Sequence, residues 1–284
     1  MIQTSINDNA QHGGNAALNG GTAHSGGPTS GRGDAGRVLD IVSLYPRDMN
    51  IYGDSGNVLT IRRRAELYGY TPVIHHYNQG DAWPERIDMI LGGGGQDQGQ
   101  GTITDDLFHR SGELHALADA GCPMLLICGM YQLFGNYFQT VDGKRLPGIG
   151  VLNITTVGQP HRMIGNLVEH TDEFGDVVGY ENHSGQTFLH GDGTRPWGVV
   201  DEEGTGNNGK DHTEGARRNA VIGTYMHGSL LPKNPRVADY LIRTAAQNRY
   251  GEFDPRPSAQ AAQDLSRLDD LAARASAVAA SRPR

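Results

Sequence analysis

The sequence predicts an α/β layer structure built on a central, largely parallel sheet flanked by helices. Three observations carry this. Strand-like and helix-like segments alternate over residues 38–135, four glycines follow directly on an apolar strand, and another apolar strand changes to helical spacing at a cysteine. Ligands of such sheets gather beyond the carboxyl ends of the strands, and both the glycine run and the cysteine fall at such ends.

Residues 1–36 are rich in Gly, Asn, Ser and Thr and nearly free of bulky apolar side chains. Such a segment buries too little surface to offset its ordering entropy, so a disordered leader is expected. The folded domain is expected over 37–255. Residues 38–44 read as its first strand, 46–57 as a polar turn, and 58–67 as a helix with Val58, Ile61 and Ala65 on one side. Gly69 stops that helix, and 71–77 form a second strand. A third strand, 87–91, enters the glycine run 92–95. Glycines there let the backbone approach a neighbour and turn its amides inward, with a flexible loop as the equal alternative. A nucleotide phosphate loop is disfavoured because no Gly-Lys follows.

Residues 107–120 carry helical spacing, and Gly121-Cys122-Pro123 turns the chain into the strand that ends at Cys128. A helix starts at Gly129. Beyond it the pattern becomes β-leaning at 150–157, 162–168, 177–183 and 196–200, which predicts antiparallel additions. A mobile polar loop is expected at 201–217. Residues 220–226 form another buried strand that ends on His227, and 235–250 a closing helix. In the tail, 256–284, Leu265, Leu268 and Leu271 recur at helical spacing, so a helical or flexible extension is expected.

Acidic residues outnumber basic ones 32 to 24, a net charge of −8, which argues against a nucleic-acid or anionic-membrane surface. No apolar run approaches the roughly 18 residues that cross a bilayer, and the N-terminus lacks signal-peptide order. Cys122 and Cys128 lie on one strand and its approach, unsuited to pairing with each other. A reduced, cytoplasmic compartment follows. No His-Glu-x-x-His or comparable spacing occurs, so no metal site is read.

Cys128 sits where a strand turns abruptly into a helix, the sequence form of a nucleophile elbow. Unpaired amides at a helix start favour a thiolate; a small buried hydrophobe is the alternative reading. His227, at the end of a later strand, is placed to take and return a proton. With twelve histidines present, position alone selects it only modestly.

Ile127-Cys128-Gly129-Met130-Tyr131-Gln132, Gly179-Tyr180-Glu181-Asn182-His183-Ser184-Gly185 and Gly223-Thr224-Tyr225-Met226-His227-Gly228 resemble class I glutamine amidotransferases of the CobB/CobQ-like branch. Tyr52-Gly53-Asp54-Ser55-Gly56-Asn57 and Leu231-Pro232-Lys233-Asn234-Pro235 narrow the resemblance to the GatD subunits of bacterial lipid II isoglutaminyl synthase. It covers residues 38–255. It implies a flavodoxin-like fold and hydrolysis of glutamine to glutamate and ammonia through a Cys thioester. It further implies a heterodimer with a MurT-like Mur ligase subunit. That partner, which would hold the ATP and Mg, uses the ammonia to amidate D-glutamate of the lipid II stem peptide in peptidoglycan synthesis. No cofactor is implied in this chain. Carried over residue by residue, Cys128 is the nucleophile and His227 the general base, then acid. Gly129 and Gly94 are the oxyanion donors, and Arg162 grips the α-carboxylate of glutamine, as a planar guanidinium does bidentately.

Two positions depart from the class pattern. Leu126 and Met130 stand where glycines flank the cysteine in many members. Ser229 stands where triad members place a glutamate, and a serine does not stabilise an imidazolium as a carboxylate does. The orienting carboxylate is therefore expected from the ligase, with low activity in the free subunit. Three rival readings stay open: an amidotransferase for another acceptor such as a cobyrinate, a catalytically weak scaffold subunit, and a peptide-directed cysteine hydrolase.

Overall fold

The computed structural model describes residues 36–282. The leader expected over the first 36 residues lies, up to residue 35, outside the described residues. The chain runs β1 (Val38–Leu44), α1 (Ser55–Leu67), β2 (Thr71–Tyr77), β3 (Met89–Gly92), α2 (Asp97–His109), α3 (Ser111–Asp119), β4 (Met124–Ile127) and α4 (Gly129–Leu133). There follow β5 (Tyr137–Gln139), β6 (Arg145–Pro147), β7 (Ile154–Thr171), β8 (Gly175–Leu189), β9 (Gly198–Val199), β10 (Thr213–Glu214) and β11 (Ala216–Arg218). The last elements are β12 (Val221–Thr224), β13 (Met226–His227), α5 (Leu230–Lys233), α6 (Pro235–Tyr250) and α7 (Ala259–Ala280).

Six strands form the first sheet in the order β11-β12-β4-β3-β1-β2, parallel throughout except for the edge pairing of β11 with β12. The central strands β3 and β4 read as continuous apolar runs because helices cover both faces of a parallel sheet. Leu39, Ile41, Ile90, Met124, Leu126 and Ile222 are wholly buried in that core, each contributing about 1.5–3 kcal/mol by removal from water. β1 leads outward to β2, and the chain then returns on the other side to β3, β4 and β12. The carboxyl ends of β1 and β3, joined at Leu44 and Gly92, flank the point where the order reverses.

The second sheet takes β5 to β10 and β13. Its spine is the long antiparallel pair β7–β8, whose register shifts between Gly158 and Met163. The segments expected at 150–157, 162–168 and 177–183 are thus parts of two strands. The decisive connection is that β12 lies in the first sheet, whereas β13, one residue later, pairs with Tyr180 and Glu181 of β8 in the second. The chain changes sheets across Tyr225.

Several boundaries differ from the sequence reading. α1 begins at Ser55, inside the polar turn expected at 46–57. The helix expected at 107–120 is two helices, and the first starts at Asp97. Gly99 and Gly101 lower its local propensity, but Gln100, Ile103 and Leu107 are buried along one face, and tertiary packing wins. The segment 201–217, expected as a mobile loop, is packed: Thr205, Asn207, Asn208 and Glu214 are buried. Asn207 donates to Gly215 O (2.8 Å) and accepts from the Tyr131 hydroxyl (3.0 Å). Polar sequence there reflects internal hydrogen bonding rather than exposure. The tail carries a 22-residue helix, α7, capped by Ser258, whose hydroxyl accepts from Ala261 N. Leu265 and Ala272 of α7 are buried, and its Asp269 pairs at 2.7 Å with the buried Arg64 of α1.

Candidate active site

The ladder between β4 and β12 continues one residue past the strand, where Cys128 N donates to Thr224 O at 2.8 Å. Cys128 itself adopts φ 48°, ψ −102°, a conformation that L-residues hold only where surrounding structure forces it. α4 begins immediately after, with Gly129 pressed in place. A Cβ there would lie 2.8 Å from the Met49 methyl, 2.9 Å from Gln100 Nε2 and 3.0 Å from Gly95 N. Met130, one of the two departures from the glycine pattern, is fully buried and packs over Gly92, where a Cβ would meet its side chain at 3.0 Å. The elbow is formed with larger residues around it because Gly92 yields the space. Helix α4 has only five residues, so its dipole is short.

The sheet change at Tyr225 brings His227 to Cys128. His227 is fully buried, its imidazole is close enough to Cys128 for the sulfur to act on its charge, and its Nδ1 faces Asp54 Oδ2 at 3.4 Å. That distance is long for a hydrogen bond, and neither ring nitrogen has a well-aligned partner among the described residues. Contacts of this kind tighten when a reacting complex forms. Burial pushes the imidazole pKa down, but the Cys128 sulfur and then Asp54 outweigh it and hold the value up at about 10. The site therefore favours an imidazolium beside sulfur and carboxylate.

Asp54 is the member of this group that the sequence reading missed. Its Oδ2 accepts from Gly94 N at 2.6 Å. The signal was present in Tyr52-Gly53-Asp54-Ser55-Gly56-Asn57, which carried the resemblance without a role. Ser229, in the place of the class glutamate, instead donates to Gly53 O at 2.7 Å. The carboxylate expected from a partner thus has a counterpart inside the chain.

The predicted oxyanion donors separate. Gly129, first in α4, has no intrahelical acceptor for its amide. Gly94, the other predicted donor, turns its amide to Asp54 instead of to the cavity. Gly95 N lies beside Gly129, 3.0 Å from where a Cβ on that residue would stand. Arg162 lies on β7 at the register shift. Its Nε and Nη2 donate to Asn182 Oδ1 at 3.0 and 2.7 Å, and Nη2 also donates to Asn182 O at 2.9 Å. A cavity of about 540 Å³ joins Cys128, Gly95, Gln100, Gln132, Arg162 and Asn182, so nucleophile and guanidinium share one space. Gln100 Nε2 donates to Gln132 Oε1 at 2.8 Å, and Gln132 Nε2 donates to the Tyr225 hydroxyl at 3.2 Å. Among the described residues, no group of three His, Cys, Asp or Glu is placed to hold a metal ion, and no helix is long and apolar enough to cross a membrane.

A family model for the CobB/CobQ-like glutamine amidotransferase domain matches residues 40–235. The chain is 36% identical to subunit GatD of the glutamine-hydrolyzing lipid II isoglutaminyl synthase of Staphylococcus aureus (strain N315), over 77% of this chain and 88% of that one. The same subunit of Streptococcus pneumoniae (strain ATCC BAA-255 / R6) is 37% identical, over 75% of this chain and 83% of its own. A cobyric acid synthase of Pelotomaculum thermopropionicum is 34% identical over 46% of this chain but only 28% of its own length. Among solved structures, a crystal structure of a glutamine amidotransferase superposes with TM-score 0.51 at 15% identity, covering 72% of this chain and 98% of that one, and shows the shared fold.

Proposed function

The chain belongs to the CobB/CobQ-like glutamine amidotransferase family, and on that premise we propose that this glutamine-hydrolysing enzyme is the glutaminase subunit of a lipid II isoglutaminyl synthase. The observation that carries the mechanism is the grouping of Cys128, His227 and Asp54 where the two sheets meet. The Cys128 thiolate attacks the side-chain carboxamide carbon of glutamine, and a tetrahedral oxyanion forms. The amides of Gly129 and Gly95 lie where that oxygen develops charge, each such donor being worth about 3–4 kcal/mol. The C–N bond breaks as the His227 imidazolium gives its proton to the departing ammonia. Neutral His227 then takes a proton from water, which hydrolyses the thioester and releases glutamate. Asp54 holds the imidazole between these two protonation states. Arg162, which lines the same cavity, binds the α-carboxylate.

The acceptor assignment rests on the two GatD relatives, which match most of their own length, whereas the cobyric acid synthase match covers little of its own. In this reading the protein works in the cytoplasm as a heterodimer with a MurT-like ligase, which supplies ATP and Mg chemistry and amidates D-glutamate of lipid II. The same reading expects no cofactor in this chain. The test is Cys128→Ala in the complex with the ligase. Glutamine-dependent amidation falls at least about 10³-fold, while amidation driven by added ammonia persists. An unchanged glutamine-dependent rate would favour the scaffold reading. Loss of both rates would show that the variant disrupts the ligase.

A further inference from the structure

Tyr52 has a backbone that its sequence does not favour. It sits in the short turn Ile51–Gly53 at φ 60°, ψ 20°, the left-handed region where glycine is at ease and a bulky aromatic is not. The turn is held there from both sides. Ile51 N donates to Gly94 O at 3.0 Å, and Gly53 O accepts from the Ser229 hydroxyl at 2.7 Å. These ties lead to the loop after β3 and to the loop after His227.

The strained backbone delivers the side chain to one place. The Tyr52 ring meets the His227 imidazole edge-on, with centroids 5.0 Å apart and an interplanar angle of 79°. Its hydroxyl accepts from Asn182 Nδ2 at 2.8 Å, and the same Asn182 holds Arg162 through three hydrogen bonds. Tyr52 also lines the cavity that contains Cys128 and Arg162, and it is 45% exposed, so burial does not explain its position. Strain maintained without burial, at a site that touches the reacting groups, is the signature of a positioning role.

We propose that Tyr52 is a positioning residue that couples recognition of the amino-acid head group at Arg162 and Asn182 to the orientation of His227. The hydroxyl fixes Asn182, and through it Arg162, in the geometry that receives an α-carboxylate. The ring limits the imidazole to the orientation that faces the sulfur. The role rests on the glutaminase reading above.

The test uses Tyr52→Phe and Tyr52→Gly in the full chain bound to the ligase subunit. Tyr52→Phe keeps the ring and loses the hydroxyl, so KM for glutamine rises about 5-fold with kcat within about 2-fold. Tyr52→Gly removes the ring but relieves the backbone, so the melting temperature holds or rises while kcat/KM falls about 30-fold or more. A purely structural tyrosine would give the opposite stability result. Unchanged KM and kcat in both variants, or a lowered melting temperature for Tyr52→Gly, overturns the proposal. Labelling of wild-type Cys128 by a diazoketone analogue of glutamine separates the two levels. Labelled, active wild type with indifferent Tyr52 variants sinks the role of Tyr52 alone. Unlabelled and inactive wild type sinks the glutaminase reading, and the role of Tyr52 with it.

Discussion

Asp54 and Ser229 exchange the parts that sequence position would give them. In a triad with the carboxylate two residues after the histidine, one strand end supplies both groups. Here the space beside Ser229 is already filled: a Cβ on Gly56 would overlap the Ser229 side chain, and the hydroxyl is bound to Gly53 O. A glutamate at 229 has no room to fold back. Asp54 reaches His227 from the other side, braced by Gly94 N. This makes a signed prediction. Asp54 is among the groups that raise the His227 pKa, so Asp54→Asn lowers it. The imidazolium is then lost at lower pH, and the alkaline limb of kcat/KM moves downward by about one unit or more, with kcat reduced roughly 10- to 100-fold. A pH profile of ammonia release checks it. An unmoved alkaline limb would show that the carboxylate comes from elsewhere, as from the ligase.

Among the elements, α1 and α5 form the clamp that holds the His227 loop. Leu231 N donates to Asn57 Oδ1 at 2.9 Å, and Gly56 lets the Ser229 turn lie against the start of α1. Ser229 itself is left-handed, at φ 50°. Gly56→Ala therefore forces the turn away from α1. Overpacking of this kind costs about 1–3 kcal/mol, and the melting temperature falls by about 2–4 °C per kcal/mol. The same variant loses turnover out of proportion to its stability, because the displaced turn carries His227. Differential scanning calorimetry beside a glutaminase assay separates the two effects. α7 reinforces this clamp from outside. Its Asp269 shares Arg64 with Asp239 of α6, and its Ser276 hydroxyl donates to Lys233 O at 2.5 Å.

At the scale of the molecule, the second sheet carries a buried carboxyl pair beneath the site. Glu169 and Glu214 are fully buried. Burial, followed by the Glu214 charge, holds the Glu169 carboxyl well above the usual carboxylate range, and burial pushes Glu214 up to about 7. The folded protein thus binds more protons than the unfolded chain above the unfolded carboxylate pKa, about 4.5. Stability is lost as pH rises through that window. Glu169→Gln removes one of these titrations. Its melting temperature relative to the natural sequence climbs as pH goes from 5 to 8. A constant difference across that range would show that Glu169 ionises normally.

The sequence by itself determined the parallel sheet and the strand-to-helix turn at Cys128, because each is encoded locally; His227 was singled out only by a motif and its place at a strand end. An apolar run broken by Cys-Gly has few alternative structures, and four glycines after a strand signal close approach whatever lies opposite. Local signals did not contain the identity of the partners. Asp54 was invisible as a carboxylate for His227 because its role depends on β12 leaving one sheet and β13 joining another. That the Gly94 amide turns to a side chain could not be read, since an amide direction is fixed by its acceptor and that acceptor is Asp54. The helix at Asp97–His109 was hidden by its glycines, and the packed segment 201–217 by polar side chains that bond inward. Tertiary structure decided these points for one physical reason. Hydrogen bonds and charge contacts are satisfied by whatever the fold brings within about 3 Å, and sequence distance places no limit on that.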